Sequence, residues 1–335
     1  MNILITGTAG FIGFYTATRF LKEGHTVIGI DNMNSYYDVS LKEARNAQLQ
    51  KNNNYIFYKC DIANYQELSN IFEKHNFDYV VHLAAQAGVR YSLDHPFDYV
   101  HSNIVGFMNI LECCRHNPVR HLVYASSSSV YGMNSCVPFS VHDNVDHPMS
   151  LYAATKKSNE LFAHCYSHLF SIPASGLRFF TVYGPWGRPD MAYFKFTKAI
   201  FEGKTIDVYN FGDMERDFTY IDDIVEGVYR ITFKTPLNQP EFDTMHPDPA
   251  SSSAPFRIYN IGNNRPVHLM YFIEVLEQEI GKKAKINYLP MQPGDVLATF
   301  ADIDELTQAV DYRPVTSIEE GLHKFVQWYR EYYNV

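Results

Sequence analysis

The sequence predicts an α/β protein: a doubly wound parallel sheet over residues 1–180 and a smaller substrate-binding lobe over 181–335. Three observations carry that expectation. Short β-branched runs alternate with amphipathic stretches, the rhythm of strand, helix, strand. The runs are apolar throughout instead of alternating with polar residues, as strands covered on both faces must be. At 335 residues the chain also exceeds an ordinary single domain, so an attached lobe is expected.

Taken in order, the strand runs are 3–6, 26–31, 56–60, 79–83, 122–127 and 175–180, with a helical pattern at 15–22 after the first. Beyond about Phe180 the spacings lengthen and Pro and Gly become commoner, so the lobe boundary is placed there, with parts of 215–262 expected to return to the first domain. The Pro- and Ser-rich stretch 236–255 reads as a surface loop without chemistry. Ser317-Ile318-Glu319-Glu320 fits a capping box, which predicts a last helix carrying Leu322, Phe325, Val326 and Tyr329.

Composition narrows the function classes. Apolar residues at 46% and charged residues at 19% describe a folded chain. The net charge of -9 with no run of Lys and Arg speaks against nucleic acid or an anionic membrane as a partner. Five cysteines without a CxxC pair predict reduced thiols, with no disulfide framework and no metal site. His164 and His168 share a predicted helix face but lack a third ligand, so they read as a subunit contact or a solvated face. The first residues run directly into a strand without a secretory pattern, and no apolar stretch reaches the roughly 20 residues of a membrane span, so a cytoplasmic enzyme is expected.

Directly after the first strand stands Gly7-Thr8-Ala9-Gly10-Phe11-Ile12-Gly13. Glycines at this spacing permit a tight turn and close approach of a pyrophosphate, and the helix N-terminus that follows offers N–H donors to it. A structural turn is the plain alternative. The second strand, however, ends in Asp31, placed to accept from an adenosine ribose and to repel a 2′-phosphate, which favours NAD over NADP. Asp61 and Ile62 after the third strand fall where an adenine lies, and the small residues Leu83, Ala84, Ala85 and Ala87 after the fourth let a cofactor rest on the backbone.

Oxidising a secondary alcohol needs a base, and Tyr152-Ala153-Ala154-Thr155-Lys156 supplies one: on a helix, the phenol and ammonium lie one turn apart. A free phenol has a pKa of about 10, so the ammonium and a positive nicotinamide are expected to lower it. Tyr55 and Lys59 repeat the spacing in a predicted strand, where four residues span roughly 13 Å and the two groups cannot cooperate. Ser126 to Ser129 close the fifth strand at the edge where ligands of open α/β sheets bind. Ser127, and after it Ser128, is expected to hydrogen-bond the reacting oxygen.

Together, residues 6–13, the stretch Tyr124-Ala125-Ser126-Ser127-Ser128-Ser129-Val130-Tyr131-Gly132 and the Tyr152–Lys156 pair resemble the extended short-chain dehydrogenases, whose core is a Rossmann fold. Residues 31–38, 82–92 and 178–192 are more narrowly similar to the UDP-glucuronate 4-epimerases, and the likeness runs from residue 2 to about Tyr329. That resemblance implies a tightly held NAD contacted also by Asn32, Asn103 and Val182, a UDP-sugar substrate, a transient 4-keto sugar and a homodimer. It further implies that Arg90, Thr181, Arg188, Tyr209, Arg216 and Asp295 contact the sugar nucleotide. Arg216 falls at the diphosphate position, and Thr181 and Arg188 fall beside the sugar carboxylate. Where UDP-galactose epimerases carry Arg before Pro-Gly-Asp, this chain has Gln292.

The expected activity is therefore 4-epimerisation of UDP-glucuronate, with Tyr152 as base and Ser127 orienting the oxygen. A 4-keto uronate is a β-keto acid, so its carboxylate must be restrained, and an Arg188 fork suits that task. The rivals are a UDP-glucuronate decarboxylase with a freer carboxylate, another NAD-dependent nucleotide-sugar epimerase, and a non-catalytic NAD-sensing protein. A 4,6-dehydratase is a further rival, but dehydratases resemble a Thr-Asp-Glu-Val-Tyr-Gly pattern, and here serines precede Val130.

Overall fold

The computed structural model describes residues 1–291 and 297–335. Six strands come first: β1 (Asn2–Thr6), β2 (Thr26–Asp31), β3 (Tyr55–Lys59), β4 (Tyr79–His82), β5 (His121–Ser127) and β6 (Ala174–Phe179). The chain then leaves for β7 (Thr181–Tyr183), β8 (Thr205–Val208) and β9 (Glu215–Tyr220) before β10 (Phe256–Ile261) returns beside β6. The large sheet has the order β3-β2-β1-β4-β5-β6-β10, and every neighbouring pair is parallel. Strand order reverses between β1 and β4, which opens a crevice at their carboxyl ends.

Helices α1 (Phe11–Lys22), α2 (Val39–Leu49) and α3 (Tyr65–Lys74) connect the first four strands. Two short turns, α4 (Tyr91–Asp94) and α5 (Pro96–Tyr99), lead through a π-helical stretch (Val100–Val105) into α6 (Gly106–His116), and the long α7 (Leu151–Phe170) follows β5. Later come α8 (Ala192–Phe201), α9 (Ile221–Thr232), α10 (Leu269–Ile280), α11 (Asp304–Val310) and α12 (Ile318–Tyr333). The apolar strands are explained by a core on each face. Ile3 and Ile5 of β1 pack with Phe14 and Phe20 of α1 and Ile224 and Val228 of α9. Leu4, between them, packs with Leu68 and Phe72 of α3 and Phe107 and Ile110 of α6.

The smaller sheets hold residues after 180. β9 lies between antiparallel β11 (Pro266–His268) and parallel β13 (Ala298–Thr299) and also pairs with β7, while β8 pairs with β12 (Lys285–Tyr288). The wholly buried Asp217 of β9 stitches these segments together, accepting from the backbone N–H groups of Asn263 (2.8 Å), Asn264 (3.0 Å) and Ala301 (3.0 Å). α12 starts where the capping pattern predicts, with the Ser317 hydroxyl accepting from Glu320 N at 3.2 Å. α1 begins four residues earlier than its apolar pattern, because the glycine-rich turn is itself the helix's first turn.

Candidate active site

The turn between β1 and α1 is bare backbone by necessity. Gly7 sits at φ +78°, and a Cβ there would come within 2.9 Å of Ala84 N; a Cβ on Gly13 would meet the Gly7 carbonyl oxygen at 2.0 Å. Turn, helix and the end of β4 therefore touch through main chain alone. Gly10 caps α1 without a side chain, which leaves the first-turn amides for another acceptor. Asp31, at the end of β2, accepts from Ala9 N (3.1 Å) and Met33 N (2.8 Å), and burial raises its carboxyl against the pull of those two donors. Asp61 accepts from Asn32 Nδ2 at 3.1 Å.

One cavity runs from this turn across the crevice. Gly7, Gly10, Phe11, Ile12, Gly13, Asp31, Asn32, Asp61, Ile62, Leu83, Ala84, Ala85 and Ala87 line one end, and Ser127, Tyr152, Lys156, Val182 and Arg188 the other. Residues 7–13 thus share a wall with Tyr152 and Lys156, some 140 positions later, because β1 and β5 both end on the same edge of the sheet.

Tyr152 stands in the first turn of α7, which Ser150 caps by accepting from Ala153 N at 3.1 Å. Lys156, one turn on, donates to the Ala125 carbonyl at 2.9 Å, and burial pushes its ammonium down to about 8. The protein alone holds the Tyr152 phenol above its ordinary pKa. Burial raises its pKa, and the Ser127 hydroxyl and the Arg188 charge pull it down. The ammonium uses one of its three N–H donors on β5, and burial leaves the phenol above its ordinary value. Ser127 shares a hydrogen bond with the Ser129 hydroxyl (3.2 Å), while Ser128 opens a 3₁₀ turn (Ser128–Tyr131) and lies outside the cavity lining.

Arg188 lines the cavity and is engaged within the chain. Its fork holds a carboxylate, but that of Asp190: Nε donates to Oδ1 at 3.0 Å and Nη2 to Oδ2 at 2.5 Å, with the Tyr36 hydroxyl on the same oxygen at 3.1 Å. Burial opposes the Arg188 charge and Asp190 outweighs it, so the guanidinium stays charged. The two parallel bonds expected for a sugar carboxylate are thus made within the chain.

Other predicted residues stand apart from the cavity lining. The Asn103 amide is occupied by Gln86 N (2.8 Å), Gln86 O (3.0 Å) and Thr155 Oγ1 (3.0 Å), so it fixes the loop after β4 from behind. Thr181 pairs with Phe218 in the small sheet. Arg90 lies 5.5 Å from the centre of the Tyr209 ring. Arg216 donates to the carbonyls of Glu215 (2.8 Å) and Leu297 (3.1 Å). Asp295 and Gln292 lie outside the described residues. Conversely, Asn34, Tyr36, Tyr37, Lys42, Gln86, Ser102 and Met191 line the cavity without having been singled out. The first four follow Asp31 at the carboxyl edge, which is the signal that points to them. Lys42 donates to the Asn34 backbone and side-chain oxygens at 2.7 and 2.6 Å. His164 bonds the Ser252 hydroxyl at 2.9 Å, and among the described residues no group of His, Cys, Asp and Glu is arranged to hold a metal.

A family model described as GDP-mannose 4,6 dehydratase matches residues 4–325. Protein CapI of Staphylococcus aureus is 59% identical over 99% of this chain and 99% of its own length. A probable UDP-glucuronate 4-epimerase of Rhizobium meliloti (strain 1021) is 50% identical over 99% of this chain and 98% of its own. The crystal structure of UDP-glucuronic acid 4-epimerase from Bacillus cereus, in complex with UDP-glucuronic acid and NAD, superposes with a TM-score of 0.86 at 34% identity, covering 99% of this chain and 100% of that one. The chain belongs to the NAD-dependent epimerase/dehydratase family of extended short-chain dehydrogenases, alongside the UDP-glucuronate 4-epimerases.

Proposed function

We propose that this enzyme interconverts UDP-glucuronate and UDP-galacturonate by NAD-dependent 4-epimerisation through a transient 4-keto sugar. The observation that carries the proposal is a single cavity joining the glycine-rich turn to the Tyr152–Lys156 pair. Gly7, Gly10 and Gly13 seat the pyrophosphate, Asp31 takes the adenosine ribose, and Asp61 and Ile62 flank the adenine. NAD, when bound, accepts and returns the C4 hydride and brings a positive charge beside the phenol. Tyr152 takes the proton from the sugar 4-hydroxyl, Ser127 orients that oxygen, and Lys156 holds the nicotinamide ribose. The ketone turns about its diphosphate linkage and is reduced on its other face, so no net redox occurs.

A dehydratase needs an acid beside the sugar, and the carboxylates that line the described cavity, Asp31 and Asp61, lie at its adenosine end. Glu160 is tied instead to Arg178 (2.9 and 3.0 Å) and Ser126 (2.6 Å), away from the cavity. Arg90, Tyr209 and Arg216 form the outer, nucleotide-facing part of the substrate site, and residues 181–335 chiefly form the lobe that closes over it. The test is to incubate the purified protein with UDP-glucuronate, without added NAD, and to follow products by proton NMR. UDP-galacturonate is expected, whereas UDP-xylose with released carbon dioxide assigns the decarboxylase reaction.

We also infer a homodimer built on α7. On α7, Leu161, Cys165 and Leu169 recur every fourth residue, share one face and are all exposed. Five free thiols support a reducing, cytoplasmic setting. Among the described residues, no helix is long and apolar enough to cross a membrane.

A further inference from the structure

Arg45 projects from α2 and is wholly buried, a rare position for a guanidinium. Its five N–H donors make five hydrogen bonds, and every acceptor is neutral. Nε donates to the Trp186 carbonyl (3.1 Å), Nη1 to the Ala9 carbonyl (2.9 Å) and the Tyr37 hydroxyl (2.8 Å), and Nη2 to the carbonyls of Trp186 (2.5 Å) and Gly187 (3.1 Å). Burying a charge whose direct acceptors are all neutral is costly, even with the Asp31 carboxyl nearby, so what the side chain connects is of interest. Ala9 belongs to the dinucleotide turn, and Trp186 and Gly187 directly precede Arg188.

A second observation bears on the same spot. Trp186 has φ +59°, a left-handed conformation that is a genuine outlier for a bulky residue. Its carbonyl is the one that Arg45 grips twice. Gly187 beside it has no room for a side chain, since a Cβ would meet the Tyr193 hydroxyl at 1.9 Å. The Arg45 guanidinium thus grips the strained backbone, and two residues on stands Arg188, which lines the cavity and is proposed above to lie beside the sugar.

We propose that Arg45 is a positioning residue for the epimerisation: it pins the Trp186–Gly187 backbone to the glycine turn and so keeps Arg188 in register with the cofactor. This rests on the function proposed above. With the pin removed, Trp186 relaxes towards ordinary φ and the Arg188–Asp190–Tyr36 unit shifts. The carboxylate of the 4-keto uronate then rotates out of the carbonyl plane more often. The C5–C6 bond breaks, carbon dioxide leaves, its electron pair forms the C4–C5 enolate, and a proton adds at C5. Return of the hydride removed in the first step then gives UDP-xylose.

The test compares wild type, Arg45→Lys and Tyr37→Phe with UDP-glucuronate, reading both products by proton NMR per NAD-loaded site. An ammonium cannot span both loops, so Arg45→Lys is expected to raise the ratio of decarboxylated to epimerised product by about tenfold or more and to lower the epimerisation kcat by a similar factor. Tyr37→Phe, which removes one acceptor and keeps the fold, moves the ratio the same way by less. A residue that only supported folding would lower the active fraction without moving this ratio. Variants with the wild-type ratio overturn the inference, and if Arg45→Lys does not fold, an unchanged ratio in Tyr37→Phe does so. A wild type inert towards UDP-glucuronate overturns the proposed function itself, and this inference with it.

Discussion

At position 156 the protein keeps an ammonium that is 2% exposed, and burial pushes its pKa down to about 8. Below that pH both folded and unfolded chains carry the proton, and the penalty is complete, on the order of 3 kcal/mol. Between about 8 and the ordinary 10.5 the unfolded chain binds more protons, so this group's contribution to stability rises with pH. Lys156→Met is accordingly expected to be most favoured over wild type near pH 7, with the difference shifting towards wild type by pH 10 in urea titrations. A difference that does not move with pH refutes this account. Tyr152→Phe removes the proton acceptor and should cost about 10²- to 10⁴-fold in kcat while NAD content stays unchanged. The placement of Tyr152 and Lys156 one turn apart at the cavity was legible in the sequence because helical spacing is a local property. The phenol's raised pKa was not, because it depends on how much protein surrounds it.

Among elements, two loop-to-helix junctions shape the proposed site. Ser150→Ala removes the cap of the helix that holds Tyr152 in its first turn. About 1 kcal/mol of stability is expected to go, measured as a lower denaturation midpoint, together with part of kcat. Gly13→Ala drives a Cβ to within 2.0 Å of the Gly7 carbonyl and should yield protein that purifies without NAD, read from its nucleotide absorbance. Strands, the glycine turn and the Ser317 cap could be read ahead, since each is written in consecutive residues. The π-helical stretch (Val100–Val105) and the occupation of Arg188 by Asp190 could not. The acid and base of that pair stand two residues apart within a stretch already marked by its family likeness, yet only the turn's geometry folds one onto the other.

For the molecule as a whole, the order β3-β2-β1-β4-β5-β6-β10 decides which distant residues meet. Alternating strand and helix runs foretold the layers. They gave no hint that Arg45 would reach Trp186, because a contact across 141 positions leaves no periodic trace. Association follows the same logic of faces. Leu161→Glu on the outer side of α7 should convert the proposed dimer to monomer by size-exclusion chromatography with light scattering, with the Tyr152 site undisturbed.

The thiols offer a way to watch that event without a label being engineered. Cys60, Cys113 and Cys114 are buried, and desolvation raises each thiol, to about 12 in the first two, so alkylating reagents pass them over at neutral pH. Only Cys136 and Cys165 lie open. Because Cys165 stands between Leu161 and Leu169, dilution should quicken its reaction with iodoacetamide and leave Cys136 unaffected as an internal clock. Prolonged storage in air would then threaten Cys136 first, and Cys165, covered in the proposed dimer, only in preparations too dilute to stay paired.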